Sequence, residues 1–306
     1  MNDYLSLALG VACAALGGEL FLRGTIGIAH WARVSPGIIG ATVAAFATSS
    51  PELSVSINAA LAGTPEISLG DALGSNVVNV ALILAVAIAI SGMHTPRGTL
   101  TRDFPMALSV PPLTLVLLLD GVLSRTDGLL LIGVFLAWCV AVIVEARRQR
   151  SAAEKMLGEL RHGRAAVLSS AGLLFLIAAG RLVVDGAKGI AVAFGLDAFT
   201  IGATVVAVGT SVPELATTIV AKLRGHDEVG LGTVLGSNIF NGLLIVGLAA
   251  VIQPITVAWR EVAGVLSFGV IAVALTLPNR SGFIHRLRGA LLLALYAVYL
   301  IALLRR

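Results

Sequence analysis

Long apolar stretches alternate with short polar segments along the whole chain. Seven of the stretches approach or reach the roughly 20 apolar residues that a helix needs to cross the hydrocarbon core of a bilayer. They are residues 5–22, 77–90, 107–119, 129–144, 167–177, 262–277 and 290–304. With the more polar stretches between them, the pattern predicts ten transmembrane helices, centred near residues 14, 47, 80, 113, 136, 177, 209, 242, 269 and 296.

The composition strengthens the membrane interpretation. The 306 residues are 57% hydrophobic and 12% charged, about half the usual charged share. A soluble domain of this size has no way to bury so much apolar surface. The first apolar stretch has no positive charge before it and no cleavage-site pattern after it, so we expect a retained helix and not a signal peptide.

The two halves of the chain carry the same pattern 162 residues apart. At that shift more than half of the positions between 40 and 83 are identical, without a gap, and polar residues match as well as apolar ones. The duplication predicts two five-helix repeats, residues 1–150 and residues 165–306. Their most similar stretches are 36–90 and 198–252, and a basic cytoplasmic linker, 151–164, joins the repeats.

The second repeat is predicted to be upside down relative to the first, because each repeat has an odd number of helices. With the N-terminus outside, most of the 21 lysines and arginines fall in cytoplasmic loops, in agreement with the positive-inside rule. Both termini are then outside. The predicted fold class is therefore an all-α integral membrane protein, with ten transmembrane helices as two inverted five-helix repeats. Secondary transporters often have this architecture, with the substrate site where the repeats meet.

A Thr-Ser-x-Pro-Glu motif lies in the middle of one apolar helix of each repeat. Its acidic residues are Glu52 and Glu214, and an ionisable side chain at this depth costs several kcal/mol. An axis in the membrane plane would bring the two carboxylates face to face, where their repulsion requires a cation or a proton between them. Such a pair predicts a cation site near the bilayer midplane.

The prolines of this motif supply further oxygen ligands. Pro51 frees the backbone carbonyl of Ala47, and Pro213 frees that of Gly209, because proline has no N–H to donate. Carboxylate, hydroxyl and carbonyl oxygens together suit a hard cation such as Ca²⁺ or Na⁺. A plain helix kink with hydroxyls bonded to the backbone is the alternative for the Thr-Ser-x-Pro part of each motif.

A second motif, Gly-Ser-Asn-x-x-Asn, follows in each repeat. Ser75 and Asn79 are four residues apart, as are Ser237 and Asn241, so each pair shares one face of a helix. A helix-packing seam is the alternative role for the two serines. We expect the asparagines to be neutral oxygen ligands, and Glu66, where the same helix begins, to stabilise the helix N-terminus.

Several kinds of chemistry are missing from the sequence. The five histidines lie at or near predicted loops, and the chain has no His-Glu-x-x-His stretch and no nucleotide-binding glycine motif. We therefore expect no enzyme activity, no cofactor and no nucleic-acid partner. The residues alone leave open a sodium/calcium antiporter, a calcium/proton antiporter and a passive cation channel. The inverted pair disfavours the channel, since channels usually place filters around an axis along the pore.

The two motifs resemble the alpha-repeats of the cation/calcium exchanger superfamily, Gly-Thr-Ser-x-Pro-Glu and Gly-Ser-Asn-x-x-Asn/Asp. The resemblance covers the whole chain and looks closest to the small prokaryotic sodium/calcium exchangers. It implies a ten-helix antiporter in a prokaryotic plasma (inner) membrane, with Ca²⁺ and Na⁺ (or H⁺) as its transported partners and three Na⁺ per Ca²⁺. The ion ligands that it implies are Glu52, Glu214, Thr48, Thr210, Ser49, Ser211, Ala45, Ala207, Ser75, Asn79, Ser237 and Asn241.

Two positions depart from the family pattern. Ala47 replaces the usual glycine before Thr48, and we expect this to narrow or stiffen the first helix break. Gly209 keeps the glycine in the second motif. Asn241 stands where some relatives have an aspartate. The resemblance then implies an exchanger that does not depend on potassium.

Overall fold

The computed structural model describes residues 3–63, 65–153, 162–193 and 207–304, and most of them are helical. Residues 154–161 of the predicted linker and residues 198–206 of the second motif stretch lie outside these ranges. The helices of the first half are α1 (Asp3–Ala32), α2 (Pro36–Ile39), α3 (Ala45–Thr48), α4 (Ser50–Leu61), α5 (Pro65–Val77), α6 (Ala85–Ser91), α7 (Phe104–Leu117) and α8 (Arg125–Ala153). Those of the second half are α9 (His162–Ala193), α10 (Ala207–Thr210), α11 (Val212–Leu223), α12 (Asp227–Ile239), α13 (Val246–Ile252), α14 (Trp259–Leu275) and α15 (Arg286–Leu304). Four π-helical segments join some of them: π1 (Gly40–Ala44), π2 (Val78–Leu84), π3 (Thr99–Asp103) and π4 (Phe240–Ile245).

A helix lies at each of the ten centres predicted from the sequence. By length and apolar content alone, four helices of the described ranges are able to cross a membrane, and a broken pair, Pro36–Thr48 with Ser50–Leu61, would be a fifth. The four are Ala8–Ala32, Pro65–Ser91, Arg125–Gln149 and Asp227–Ile252. The number is smaller than the predicted ten partly because α7 and α14 are short, at 14 and 17 residues.

Helices α1 and α9, which begin the two repeats, pack against each other in opposite directions. A Cβ added at Gly17 would lie 2.9 Å from Cβ of Phe175, and one added at Gly27 would lie 2.7 Å from Cβ of Ala165. Residue numbers rise along α1 while they fall along α9. Small residues at the contact let the two backbones approach closely.

Two short antiparallel strand pairs connect the halves, which the all-α prediction did not include. β1 (Met93–His94) pairs with β4 (Phe283–Ile284), and β2 (Val122–Leu123) pairs with β3 (Ile255–Thr256). The shift of 162 residues places β1 on β3, and β2 on β4 to within one residue. Exchanging the two halves therefore converts one strand pair into the other, as a two-fold relation between the repeats requires.

A polar network fixes the start of the helix that carries the first glutamate motif. Arg102 forms a bidentate ion pair with the buried Asp103, at 2.7 and 2.8 Å, and a further 2.8 Å bond to Glu145. Glu145 also accepts a hydrogen bond from Gln149, whose own oxygen accepts the backbone N–H of Ser35 at 2.8 Å. Helix α8 thereby holds the chain just before α2 begins.

Candidate cation-binding site

Each glutamate motif lies at a break between two short helices. Helices α3 and α4 meet at Ser49 (φ −85°, ψ 11°), and α10 and α11 meet at Ser211 (φ −84°, ψ 8°). The first break bends the helix by 46°. Pro51 and Pro213 lie in the first turn of the next helix, where a missing N–H breaks no hydrogen bond of that helix. The helix is therefore interrupted at the same point in both motifs, about one turn before the glutamate.

The two breaks differ at the carbonyl that the proline frees. In the first motif the hydroxyl of Ser50 donates to the carbonyl of Ala47 at 2.8 Å. In the second motif Val212 stands in the place of Ser50 and has no hydroxyl to offer Gly209. The carbonyl of Ala47, which Pro51 frees from the helix, is therefore satisfied in part by a neighbouring serine, and the second motif has no such hydroxyl at the equivalent position.

Each glutamate faces the serine of the opposite motif. Glu52 and Glu214 are completely buried. The hydroxyl of Ser49 donates to Oε1 of Glu214 at 2.9 Å, and the hydroxyl of Ser211 lies 3.5 Å from Oε1 of Glu52. Ser237 donates to the same oxygen of Glu214 at 3.1 Å. These contacts bring the two motifs, and with them both carboxylates, into one buried cluster.

Several oxygen atoms of this cluster have no hydrogen-bond donor in the described part of the chain. They are Oε2 of Glu52 and Glu214, the hydroxyl of Ser75, and Oδ1 of Asn79 and Asn241. Neither glutamate forms an ion pair with a basic side chain of the described ranges. Burying polar and charged atoms without partners is unfavourable. Unpartnered oxygens of this kind suit a hard cation.

The hydroxyls of the two motif threonines bond to nearby backbone carbonyls. The hydroxyl of Thr48 donates to the carbonyl of Ala44 at 3.0 Å, and that of Thr210 donates to Ala207 at 3.2 Å. Both hydroxyls are therefore engaged within their own helices. The carbonyl of Ala45 accepts the backbone N–H of Ser49 at 3.0 Å, and the hydroxyls of Thr48 and Ser237 lie 3.3 and 3.5 Å from it.

Both motif asparagines lie in π-helical segments, Asn79 in π2 and Asn241 in π4. The α-helical spacing expected between Ser75 and Asn79 is interrupted, because α5 ends at Val77 and the wider π winding follows. Segments of π-helix are frequent at functional sites. The amide of Asn79 donates to Oδ1 of Asn238 at 3.2 Å, so this ligand candidate is held by the opposite repeat.

Asn76 and Asn238 form a reciprocal pair that the sequence prediction did not assign to the site. The amide of Asn76 donates to the backbone carbonyl of Asn238, and the amide of Asn238 donates to the carbonyl of Asn76, both at 3.1 Å. The two residues are 162 positions apart, so each bonds to its own equivalent in the other copy of the motif. Their identity at equivalent positions of the motif was the signal that pointed to them.

Comparison with known proteins shows the family. A family model described as sodium/calcium exchanger protein matches residues 3–144 and 164–305. The chain belongs to the sodium/calcium exchanger family. The resemblance seen in the two motifs is thus confirmed, and the chain is an integral membrane ion transporter.

Relatives of this exchanger-family chain match it over most of its length. Inner membrane protein YrbG of Escherichia coli is 36% identical over 230 residues, which cover 72% of this chain and 71% of the relative. Sodium/calcium exchanger MaX1 of Methanosarcina acetivorans is 29% identical over 346 residues, covering 98% of each. The solved structure of the sodium/calcium exchanger from Methanococcus jannaschii superposes with a TM-score of 0.82 at 28% identity, over 98% of this chain and 97% of that one. The chain therefore has the fold of a membrane exchanger.

Proposed function

We propose that this chain is a sodium/calcium antiporter, which exchanges Na⁺ for Ca²⁺ across a membrane by alternating access to a single buried site. The observation that carries the proposal is the pair of buried carboxylates, Glu52 and Glu214, each with one oxygen that no described residue partners. In an exchanger-family protein, such a pair is the natural place for the transported cation. The carboxylates belong to different repeats, so the ion would be held between the two halves.

The proposed architecture is ten transmembrane helices in two inverted repeats, residues 1–150 and 165–306, joined by a cytoplasmic linker at 151–164. Three features of the structure support it: the opposed directions of α1 and α9, the two exchanged strand pairs, and the reciprocal bonds of Asn76 and Asn238. The distribution of lysine and arginine supports termini on the outside of a prokaryotic plasma membrane.

Competition for the same carboxylates explains exchange. Glu52 and Glu214 together balance the charge of one Ca²⁺, or they serve Na⁺ ions that occupy neighbouring positions. Ca²⁺ and Na⁺ then exclude each other, so the gradient of one ion drives transport of the other. With the three-to-one ratio that the family resemblance implies, each cycle would move net charge and respond to voltage.

The proposed ligands are of three kinds: carboxylates, backbone carbonyls and polar side chains. The carboxylates of Glu52 and Glu214 bind every transported ion, and the backbone carbonyls of the helix breaks surround them. The side chains of the second motif complete the set of ligands around the ion. The complete proposed set is Glu52, Glu214, Thr48, Thr210, Ser49, Ser211, Ala45, Ala207, Ser75, Asn79, Ser237 and Asn241. With Asn241 neutral, the centre lacks a third full charge, and we propose that exchange does not require potassium.

An assay in proteoliposomes tests this function. Vesicles loaded with Na⁺ and diluted into Na⁺-free buffer should take up radiolabelled Ca²⁺, and collapse of the Na⁺ gradient should stop the uptake. Failure of an outward Na⁺ gradient to drive uptake would overturn the proposal. Uptake driven by a pH gradient alone would identify a calcium/proton antiporter, because the same carboxylates are able to carry protons.

A further inference from the structure

Three polar residues, spaced four apart, mark each of the two helices that carry the second motif. This spacing places the α-helical members on one helix face. The two sets are Asp71, Ser75 and Asn79 in the first repeat, and Thr233, Ser237 and Asn241 in the second. The second and third members are identical between the repeats and belong to the proposed site. The first members differ, because only the first repeat has a carboxylate there.

Asp71 is a partly buried residue of α5. Its Oδ2 is shut off from solvent and has no hydrogen-bond partner in the described ranges, and it forms no ion pair there with a basic side chain. The hydroxyl of Ser75, one turn further along α5, is also buried and without a partner. Two unpartnered oxygens thus lie one helical turn apart on α5, and one of them belongs to a residue of the proposed site.

The equivalent position in the second repeat has no unpartnered oxygen. Thr233 is completely buried, and its hydroxyl donates to the backbone carbonyl of Val229 at 2.9 Å. Threonine carries no charge and leaves no orphan oxygen at this point. Helix α5 therefore has a carboxylate at a position where α12 has a neutral threonine.

Asp71 lies toward the start of its helix. Four residues correspond to about 6 Å along a helix axis, so Asp71 is roughly that far from the level of Ser75, on the side of Pro65. The position is between the central site and the membrane face at which α5 begins. The charge distribution predicts that this face is the outer one.

We propose that Asp71, together with Ser75, forms a further cation position between the Glu52–Glu214 site and the face at which α5 begins. The position would take the transported hard cation, and Ca²⁺ more strongly than Na⁺ because of its higher charge. The inference rests on the proposed function. A carboxylate on the route raises the local cation concentration and speeds association. Since Thr233 replaces the carboxylate in the second repeat, this effect belongs to one face only.

Asp71→Asn tests the position in right-side-out and inside-out membrane vesicles, with KM and maximal rate for Ca²⁺ measured from each face. Loss of the charge should raise KM at the face where α5 begins by roughly tenfold, in line with the effect of charged clefts on association. KM at the opposite face and the maximal rate should stay close to the wild-type values. Asp71→Thr, which copies the second repeat, should behave like Asp71→Asn, and Asp71→Glu should restore a low KM.

Glu66→Gln is the matched control for the removed charge. Glu66 lies in the first turn of the same helix and is exposed to solvent, so this substitution removes one negative charge near the same face without touching the buried cluster. It should leave KM unchanged at both faces. An equal rise of KM in Glu66→Gln and Asp71→Asn would overturn the proposal, because surface charge alone would then explain the effect.

Other results separate this inference from the proposed function. An unchanged KM at both faces, or an equal rise at both faces, would overturn the Asp71 position while Na⁺-driven uptake by the wild type still supports the antiporter. If the substituted proteins do not fold, Sr²⁺ diffraction from the unmodified protein decides the question, since Sr²⁺ is a Ca²⁺ analogue with anomalous scattering. An anomalous peak beside Asp71 would support the position, and a peak confined to the two glutamates at saturating Sr²⁺ would overturn it.

Discussion

Ser49 of the first repeat donates a 2.9 Å hydrogen bond to Glu214 of the second, whereas the equivalent contact, from Ser211 to Glu52, is 3.5 Å long. The first distance is that of an ordinary hydrogen bond, and the second is at the outer limit. Each carboxylate is therefore oriented by the other repeat, and Glu214 is oriented more firmly. This inequality gives the two serines different expected roles in ion binding.

Ser49→Ala should weaken Ca²⁺ binding more than Ser211→Ala. A hydrogen bond to a charged group contributes about 1.5–3 kcal/mol, so loss of the Ser49 bond should raise KM for Ca²⁺ roughly tenfold or more. The longer Ser211 contact should give a smaller rise. Na⁺-driven Ca²⁺ uptake in proteoliposomes measures both, with Ser54→Ala, an exposed serine of α4, as the control. A larger effect from Ser211 would contradict the ranking.

Glu52→Gln and Glu214→Gln should each abolish Na⁺-driven Ca²⁺ transport. Glutamine keeps the size of the side chain and removes the charge that balances the cation, so the protein should still fold. A single symmetric peak in size-exclusion chromatography would show this, and Glu66→Gln provides an exposed-carboxylate control. Near-normal uptake in either variant would remove that glutamate from the site.

Asn76→Ala and Asn238→Ala should both destabilise the protein, and Asn238→Ala more strongly, because Oδ1 of Asn238 also accepts the amide of Asn79. Each substitution leaves a buried backbone carbonyl of the other repeat without its donor, at a cost of about 1–3 kcal/mol. Thermal unfolding in detergent measures the loss, and Asn58→Ala serves as the control, because this exposed amide bonds only within its own helix. A loss confined to one of the two variants would argue against a reciprocal interaction across the axis.

Gly24→Ala should disturb the packing of α1 on α9. A Cβ at this position would lie 2.3 Å from the backbone nitrogen of Ser169, so the helices must move apart, and overpacking typically costs about 1–3 kcal/mol. Gly133→Ala in α8 is the matched control, because nothing lies within 4 Å of its added Cβ. The first variant should lower the unfolding temperature and the transport rate together. Identical behaviour of the two variants would be evidence against close packing at Gly24.

The positions of the helices and of the two glutamates were predictable because the relevant physics is local. Apolar stretches of membrane length and the high cost of a charge among them are visible in a single sequence, and the duplication implies that Glu52 and Glu214 are equivalent. Family comparison confirms the exchanger assignment. Ion binding by the named ligands stays a prediction.

Contacts between the repeats were harder to predict. The sequence did not show that Ser49 faces Glu214 rather than its own Glu52, since that choice depends on how the broken helices cross. The π winding at Asn79 also depends on packing, and no residue type specifies it. Asn76 was predictable in principle, because it is identical in both copies of the motif.

The residues that follow the two helix breaks, Ser50 and Val212, have a consequence for the resting state of the carrier. If the two halves were identical, the state open to one side of the membrane would have the same free energy as the state open to the other side. At the first break the hydroxyl of Ser50 bonds to the carbonyl of Ala47, whereas the second break has Val212 at the equivalent position. For the proposed antiporter we therefore expect the two open states of the empty protein to differ in free energy, so that one side is favoured before an ion binds.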